Sequence, residues 1–203
     1  MDQQETSNFT DFASSEIENE VNIATKDILS ITTAKLFDET QIDKIESTLI
    51  DELWMKVKVV GDEKLHSADR QKLRGEVTDF PFEDIRQITK EANDTIFDFN
   101  LLGVIDQDFP QIFKYGVDDF YDWHVDINPF APSRKLCFII NLTDPESYDG
   151  GELEFLNTTA DNNLMQAKGS IVIFPSFIPY RISKVTSGEK RIIIGHIHGD
   201  LFK

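Results

Sequence analysis

From Asn100 onward the chain is a succession of short apolar or alternating segments. Each is closed by a turn signal: "GVDD", "NPFAPS", "TDPESYDGG", "NTTADNN" and "TSGE". Period-two alternation punctuated by Gly, Pro, Asn and Asp is the pattern of half-buried strands joined by tight connections. It predicts strands near 102–106, 110–117, 120–127, 135–142, 152–156, 170–174, 179–185 and 189–198. Ahead of Asn100 the periodicity is helical. Asp38 and Gln41 have capping-box spacing, and Ile42, Ile45, Leu49 and Leu53 follow on one face, predicting a helix over about 39–54. Pro81 with Ile85, Ile88, Ala92 and Ile96 predicts a second over about 81–98. The segment "ILSITTAKL" (28–36) reads as a strand and the polar "GDEKLHSADRQKLRGEVTD" as a loop. Two helices followed by many short strands point to an α+β chain, with helices backing an antiparallel sandwich.

Composition narrows the function. With 37 acidic against 20 basic residues the net charge is −17, a field that repels phosphate backbones and argues against nucleic acid as a partner. The single cysteine, Cys137, has no internal partner and sits in the apolar run "KLCFII", the setting of a buried structural thiol. The start, "MDQQETSNFTDF", has neither the basic nor the apolar part of a signal peptide, and no apolar run approaches the roughly 20 residues of a membrane span. The expected setting is a reducing compartment, the cytoplasm. Residues 1–25, acidic with no Lys or Arg, read as a flexible tail ahead of a single domain over 26–203.

The segment "FYDWHVDINPF" (120–130) places His124 two residues before Asp126. In an extended strand residues i and i+2 share a face, so both side chains can reach one metal ion. His-x-Asp alone is weak evidence, and His198-Gly199-Asp200 repeats its form at the C-terminal edge. Context separates the two. Upstream stand Tyr115-Gly116 and Tyr121; downstream come "RKLCFIINL", "YDGGELEF", "KGSIVIFPS" and "VTSGEKR", in that order.

Together these segments resemble the Fe(II)/2-oxoglutarate-dependent dioxygenases of the prolyl 4-hydroxylase-like branch, over about residues 100–200. The resemblance implies a double-stranded β-helix (jelly-roll) core with the N-terminal helices packed on one sheet. It implies a hydroxylase that couples oxidative decarboxylation of 2-oxoglutarate to oxidation of a C–H bond. Its co-substrates would be 2-oxoglutarate and O2, its metal Fe(II), and its target a peptide or small molecule. Family members often depend on ascorbate as well. A site of two His and one carboxylate holds Fe(II) and leaves adjacent positions open for the co-substrates. The far carboxylate of 2-oxoglutarate, once buried, needs a fixed cation and hydroxyl donors.

Carried onto this chain, His124 and Asp126 are the first two metal ligands, and Lys190 and Tyr115 hold the far carboxylate. Counting back ten from Lys190 reaches the distal ligand position, and there Tyr180 stands where the family has His. Three readings follow. Tyr180 binds iron as a tyrosinate, which requires lowering a phenol that titrates near about 10. Alternatively, His196 or His198 substitutes from the last strand, where both share the face of Lys190. The third is a non-catalytic or impaired oxygenase-fold binding module that binds iron weakly or not at all. Plainer roles stand beside these. Tyr115, Tyr121 and Lys190 are ordinary strand residues, and Gly150-Gly151 is a tight turn. Arg134 orients the loop "INPFAPSRK" or lies on the surface, and His66 is exposed.

Overall fold

The computed structural model describes residues 22–23, 30–49, 53–58, 68–73, 82–156 and 162–202. In chain order they form β1 (Asn22–Ile23), β2 (Thr32–Lys35), α1 (Glu39–Ser47), β3 (Trp54–Lys58), β4 (Ala68–Leu73) and α2 (Phe82–Ala92). Then come β5 (Leu101–Gly103), β6 (Gln111–Tyr115), β7 (Phe120–His124), β8 (Arg134–Asn141), β9 (Asp149–Gly150) and β10 (Leu153–Phe155). The chain ends with α3 (Asn162–Gln166), β11 (Ser170–Pro175), β12 (Tyr180–Ile182), β13 (Val185–Ser187) and β14 (Lys190–Gly199).

The capping box forms. Gln41 N donates to Asp38 Oδ1 at 2.8 Å, and Asp38 N donates to Gln41 Oε1 at 2.9 Å. The helix stops at Ser47, short of the predicted 54, because the chain from Trp54 is taken up as β3. The second helix ends at Ala92 and passes into a π-helical turn, Asn93–Phe97, closed by Asp98 in the left-handed region at φ 52°.

One expectation fails outright. The polar segment expected to be a loop contains β4, which pairs with β3, β6 and β7. Its polar composition hides it from any hydrophobic period; its backbone is ordered by the strands on either side. His66 and the remainder of that segment lie outside the described residues. So does most of the segment expected to be a tail, of which Asn22–Ile23 pair with β2.

Every described pairing is antiparallel. The main sheet runs β1-β2-β11-β8-β14-β6-β4-β7-β12-β10. Consecutive strands β6 and β7 are thus separated by β4, which joins the two halves of the sheet. Alternation sorts the side chains into two cores. Leu136, Phe138 and Ile140 of β8, with Ile171 and Ile173 of β11 and Ile193 of β14, pack with Ile42 and Ile45 of α1 and Ile85 of α2. Cys137, Ile139, Val172, Phe174, Ile192 and Ile194 face the other way, onto Tyr115, Phe155 and Tyr180. Lys190 and His196 have the parity of this second face. The helix-facing core carries much of the stability: Ile140 is fully buried in it, and Ile140→Ala should cost about 2–5 kcal/mol in denaturant unfolding.

Candidate metal and anion site

His124 is the last residue of β7, and Asp126 follows just beyond the strand end. The Asp126 and Ile127 backbone N–H groups both donate to Ser176 O, at 3.0 and 3.1 Å, which fixes the turn that aims the carboxylate inward. His124 Nδ1 lies 2.7 Å from the Asp122 carbonyl oxygen. A carbonyl only accepts, so Nδ1 carries the proton and Nε2 presents a lone pair. That Nε2 is 3.7 Å from Asp126 Oδ1, buried, and without a hydrogen bond. The ring stacks on Tyr121 at 3.5 Å, and burial holds the imidazole below its usual pKa. The His-x-Asp pair therefore meets as its spacing suggests.

Antiparallel pairing of β12 with β7 sets Tyr180 opposite His124. Tyr180 is fully buried, and its hydroxyl donates to Asp126 Oδ2 at 3.0 Å. Burial first, then the Asp126 charge, pushes the phenol well above its ordinary pKa, so Tyr180 is held as a neutral donor.

His196 arrives from the other half of the sheet, opposite Cys137 in the β14–β8 register. Its Nδ1 lies 3.2 Å from Asp108 Oδ2 and its Nε2 3.2 Å from Asp126 Oδ2. Asp108 is gripped by Arg134, whose Nε and Nη2 donate at 2.7 and 2.8 Å, and lies 3.0 Å from His198 Nε2. Arg134 also donates to the Asp126 carbonyl at 3.0 Å, so it braces the site from within. His198 faces Asp108 and Ser133 and stays away from Asp126. Burial opposes charge on Asp126, yet His196 and His124 hold its carboxyl below the usual range. The same balance, burial against Asp108 and Asp126, leaves His196 raised. Donor atoms of Asp126, Cys137 and His196 all lie within 4.8 Å of one another, a cluster able to hold a cation. Asp108 carries no sequence signal, because nothing in "IDQDFP" marks which acid turns inward.

Lys190 and Tyr115 are direct cross-strand partners on β14 and β6. Lys190 is buried, donates to Gly151 O at 2.6 Å, and is brought down to about 7 by burial. Tyr115 OH accepts from Arg70 Nη1 at 2.8 Å. Arg70, on β4, escapes notice in the sequence, since it lies in the segment expected to be a loop. Its guanidinium sits over the rings of Phe113 (3.8 Å) and Tyr121 (4.0 Å), and its Nε is buried without a partner. A pocket opens here, lined by Arg70, Tyr121, Asp126, Arg134, Tyr180 and His196 among others. Lys190 lies outside this lining.

Residues 110–198 match the profile of the 2OG-Fe(II) oxygenase superfamily. Over this segment the chain is similar to 2OG-Fe(II) oxygenase domains. A PKHD-type hydroxylase of Hyphomonas neptunium is 38% identical over 94 residues, 43% of this chain and 42% of the relative. The chain spans about two-fifths of the length of the curated relatives it matches. Among solved structures, a Pseudomonas putida prolyl-4-hydroxylase superposes with a TM-score of 0.61 at 16% identity, covering 84% of this chain and 92% of that one. A Trichoplax adhaerens prolyl hydroxylase, bound to a peptide fragment of the hypoxia-inducible factor oxygen degradation domain, gives 0.64 at 10% identity, with 83% of each chain covered. These likenesses establish a shared fold. Among the described residues no helix is long and apolar enough to cross a membrane.

Cys137 is wholly buried, and burial with the nearby Asp126 charge pushes its thiol well up. Iodoacetamide at pH 8 should therefore leave the folded protein unlabelled over the time in which urea-unfolded protein is fully labelled, read by mass spectrometry.

Proposed function

We propose that this chain is a 2-oxoglutarate/Fe(II)-dependent dioxygenase that hydroxylates a C–H bond of a peptide or small molecule. The observation carrying this reading is the pair of buried, hydrogen-bond-free Nε2 atoms of His124 and His196 on either side of the Asp126 carboxylate. A buried polar nitrogen without a hydrogen bond is costly, and a divalent cation bound at the Asp126 carboxylate would engage both. The donors are imidazole and carboxylate, which suit Fe(II). The jelly-roll core, with α1 and α2 packed on one sheet, supplies the rigid walls.

In this reading His124 and Asp126 hold the iron. Together with O2 and 2-oxoglutarate, bound iron supplies an oxidant able to remove hydrogen from an unactivated C–H bond. The protein binds, orients and keeps water out. Lys190 and Tyr115 take the far carboxylate of 2-oxoglutarate. Lys190 would exchange its bond to Gly151 O for that carboxylate. Arg70 adds a second cation with a free Nε–H at the pocket wall, and Tyr121 and Phe113 hold its plane. The Trichoplax relative solved with a peptide supports a peptide as the substrate class.

Tyr180 at the distal position supports the competing reading, a binding module without turnover. Succinate formation separates the two. Anaerobically iron-loaded protein given 2-oxoglutarate and then O2, with and without ascorbate, should form succinate, and His124→Ala should abolish it. No succinate from iron-loaded wild type would overturn the enzymatic reading.

Lys190 yields a further prediction. At pH 8, above its value of about 7, the amine is mostly neutral. Pairing with a carboxylate favours the charged form, so 2-oxoglutarate binding should take up close to one proton at pH 8 and far less at pH 6. Calorimetry in buffers of different ionisation enthalpy measures this directly. Lys190→Met should weaken 2-oxoglutarate binding about 10–100-fold, the worth of a charge-assisted hydrogen bond.

A further inference from the structure

We infer that the third iron ligand of this chain is His196, contributed by β14, and that Tyr180 serves as a hydrogen-bond donor to the ligand Asp126. The inference rests on the iron-site reading above and names the residue that completes it.

Four observations converge. First, both imidazoles are oriented by an acceptor at Nδ1: the Asp122 carbonyl for His124 and the Asp108 carboxylate for His196. A proton held on Nδ1 in each ring leaves Nε2 to face the metal; on His196, whose Nε2 faces the Asp126 carboxylate, the ion would displace a second proton. Second, the two Nε2 atoms approach opposite oxygens of one carboxylate, Oδ1 at 3.7 Å and Oδ2 at 3.2 Å. Neither makes a hydrogen bond, although both are buried. Third, the support behind His196 is what a metal-bound imidazole requires. A carboxylate accepts from the distal nitrogen, and that carboxylate is itself held by both Arg134 donors. Fourth, the Tyr180 hydroxyl is already committed, donating to Asp126 Oδ2, where it fixes the carboxylate.

Cys137 is the rival donor, since its Sγ lies within 4.8 Å of the Asp126 and His196 donor atoms. It is a neutral thiol, because burial and the facing Asp126 charge outweigh the nearby Arg134. His124 and His196 sit on different strands, β7 and β14. His196 and Asp126 already share one metal-capable group; His124 lies outside that group with its Nε2 3.7 Å from Asp126 Oδ1, and must close on the ion to complete the set.

The test is anaerobic titration of wild type, His124→Ala, His196→Ala, Asp108→Asn, Tyr180→Phe and Cys137→Ser with Co(II) alone, followed by equilibrium dialysis and the Co(II) electronic spectrum. Wild type should bind one Co(II). His124→Ala and His196→Ala should each lose about 100-fold or more in affinity, and Asp108→Asn about 10–100-fold, as expected for ligands and for the group that orients one. Cys137→Ser should stay within about threefold of wild type, whereas Tyr180→Phe, which removes a donor to the ligand Asp126, should lose about 10–100-fold with the Co(II) spectrum unchanged. Circular dichroism shows which variants fold. Independently of any variant, proton NMR of Co(II)-loaded wild type should show two solvent-exchangeable, hyperfine-shifted imidazole N–H signals. A single such signal overturns the assignment. So does a sulfur-to-cobalt band lost in Cys137→Ser, or a His196→Ala protein that binds Co(II) like wild type. A folded wild type that binds no Co(II) removes the iron-site reading as a whole. A wild type that binds one Co(II) through other residues removes only the ligand role of His196.

Discussion

The site depends on one buried carboxylate. Asp126 is only 7% exposed, and an ionised carboxyl at that depth survives only where paired and hydrogen-bonded. Its partners come from strands far apart in the chain: His124 beside it, Tyr180 from β12 and His196 from β14. Each is a bulky aromatic ring that must also fill core volume, so the charge sets the packing of the second core as much as the apolar residues do. Asp108 repeats the arrangement one layer out, holding His196 while Arg134 and His198 hold it.

Strand β4 is what brings these halves together. It bridges β6 and β7, and its one described buried charge, Arg70, reaches across to Tyr115 and lies over Tyr121. A guanidinium buried without a carboxylate contact among the described residues, and with an open Nε, is suited to an anion. The pocket lining sets Arg70 and Arg134 against Asp108 and Asp126, so the acidic excess of a chain with net charge −17 is not repeated there.

Much was legible in residue order. The capping box at Asp38 and Gln41, the alternating strands after Asn100 and the pairing of His124 with Asp126 are local patterns, and each is realised in the structure. Errors fell where local pattern carries no information. Helical spacing overshoots the end of α1 by seven residues, since Leu49 and Leu53 keep that spacing but pack into the core from a connection ahead of β3. Polar β4 was invisible because strands ordered by backbone pairing need no apolar period. Arg70 was lost with it.

Spacing and motif order were enough to bring His124 and Asp126 together, to point to a resembling family and to single out position 180, because strand alternation and ordered motifs are short-range properties of the chain. They could not say what Tyr180, His196 and Asp108 do. An extended run of six residues separates His196 from Lys190 by roughly 20 Å, and nothing along the chain reveals which distant carboxylate faces it. That assignment comes from antiparallel register: β12 against β7 puts Tyr180 over Asp126, and β14 against β8 swings His196 to the same oxygen. Register is a long-range property, decided when two cores close on both faces of one sheet.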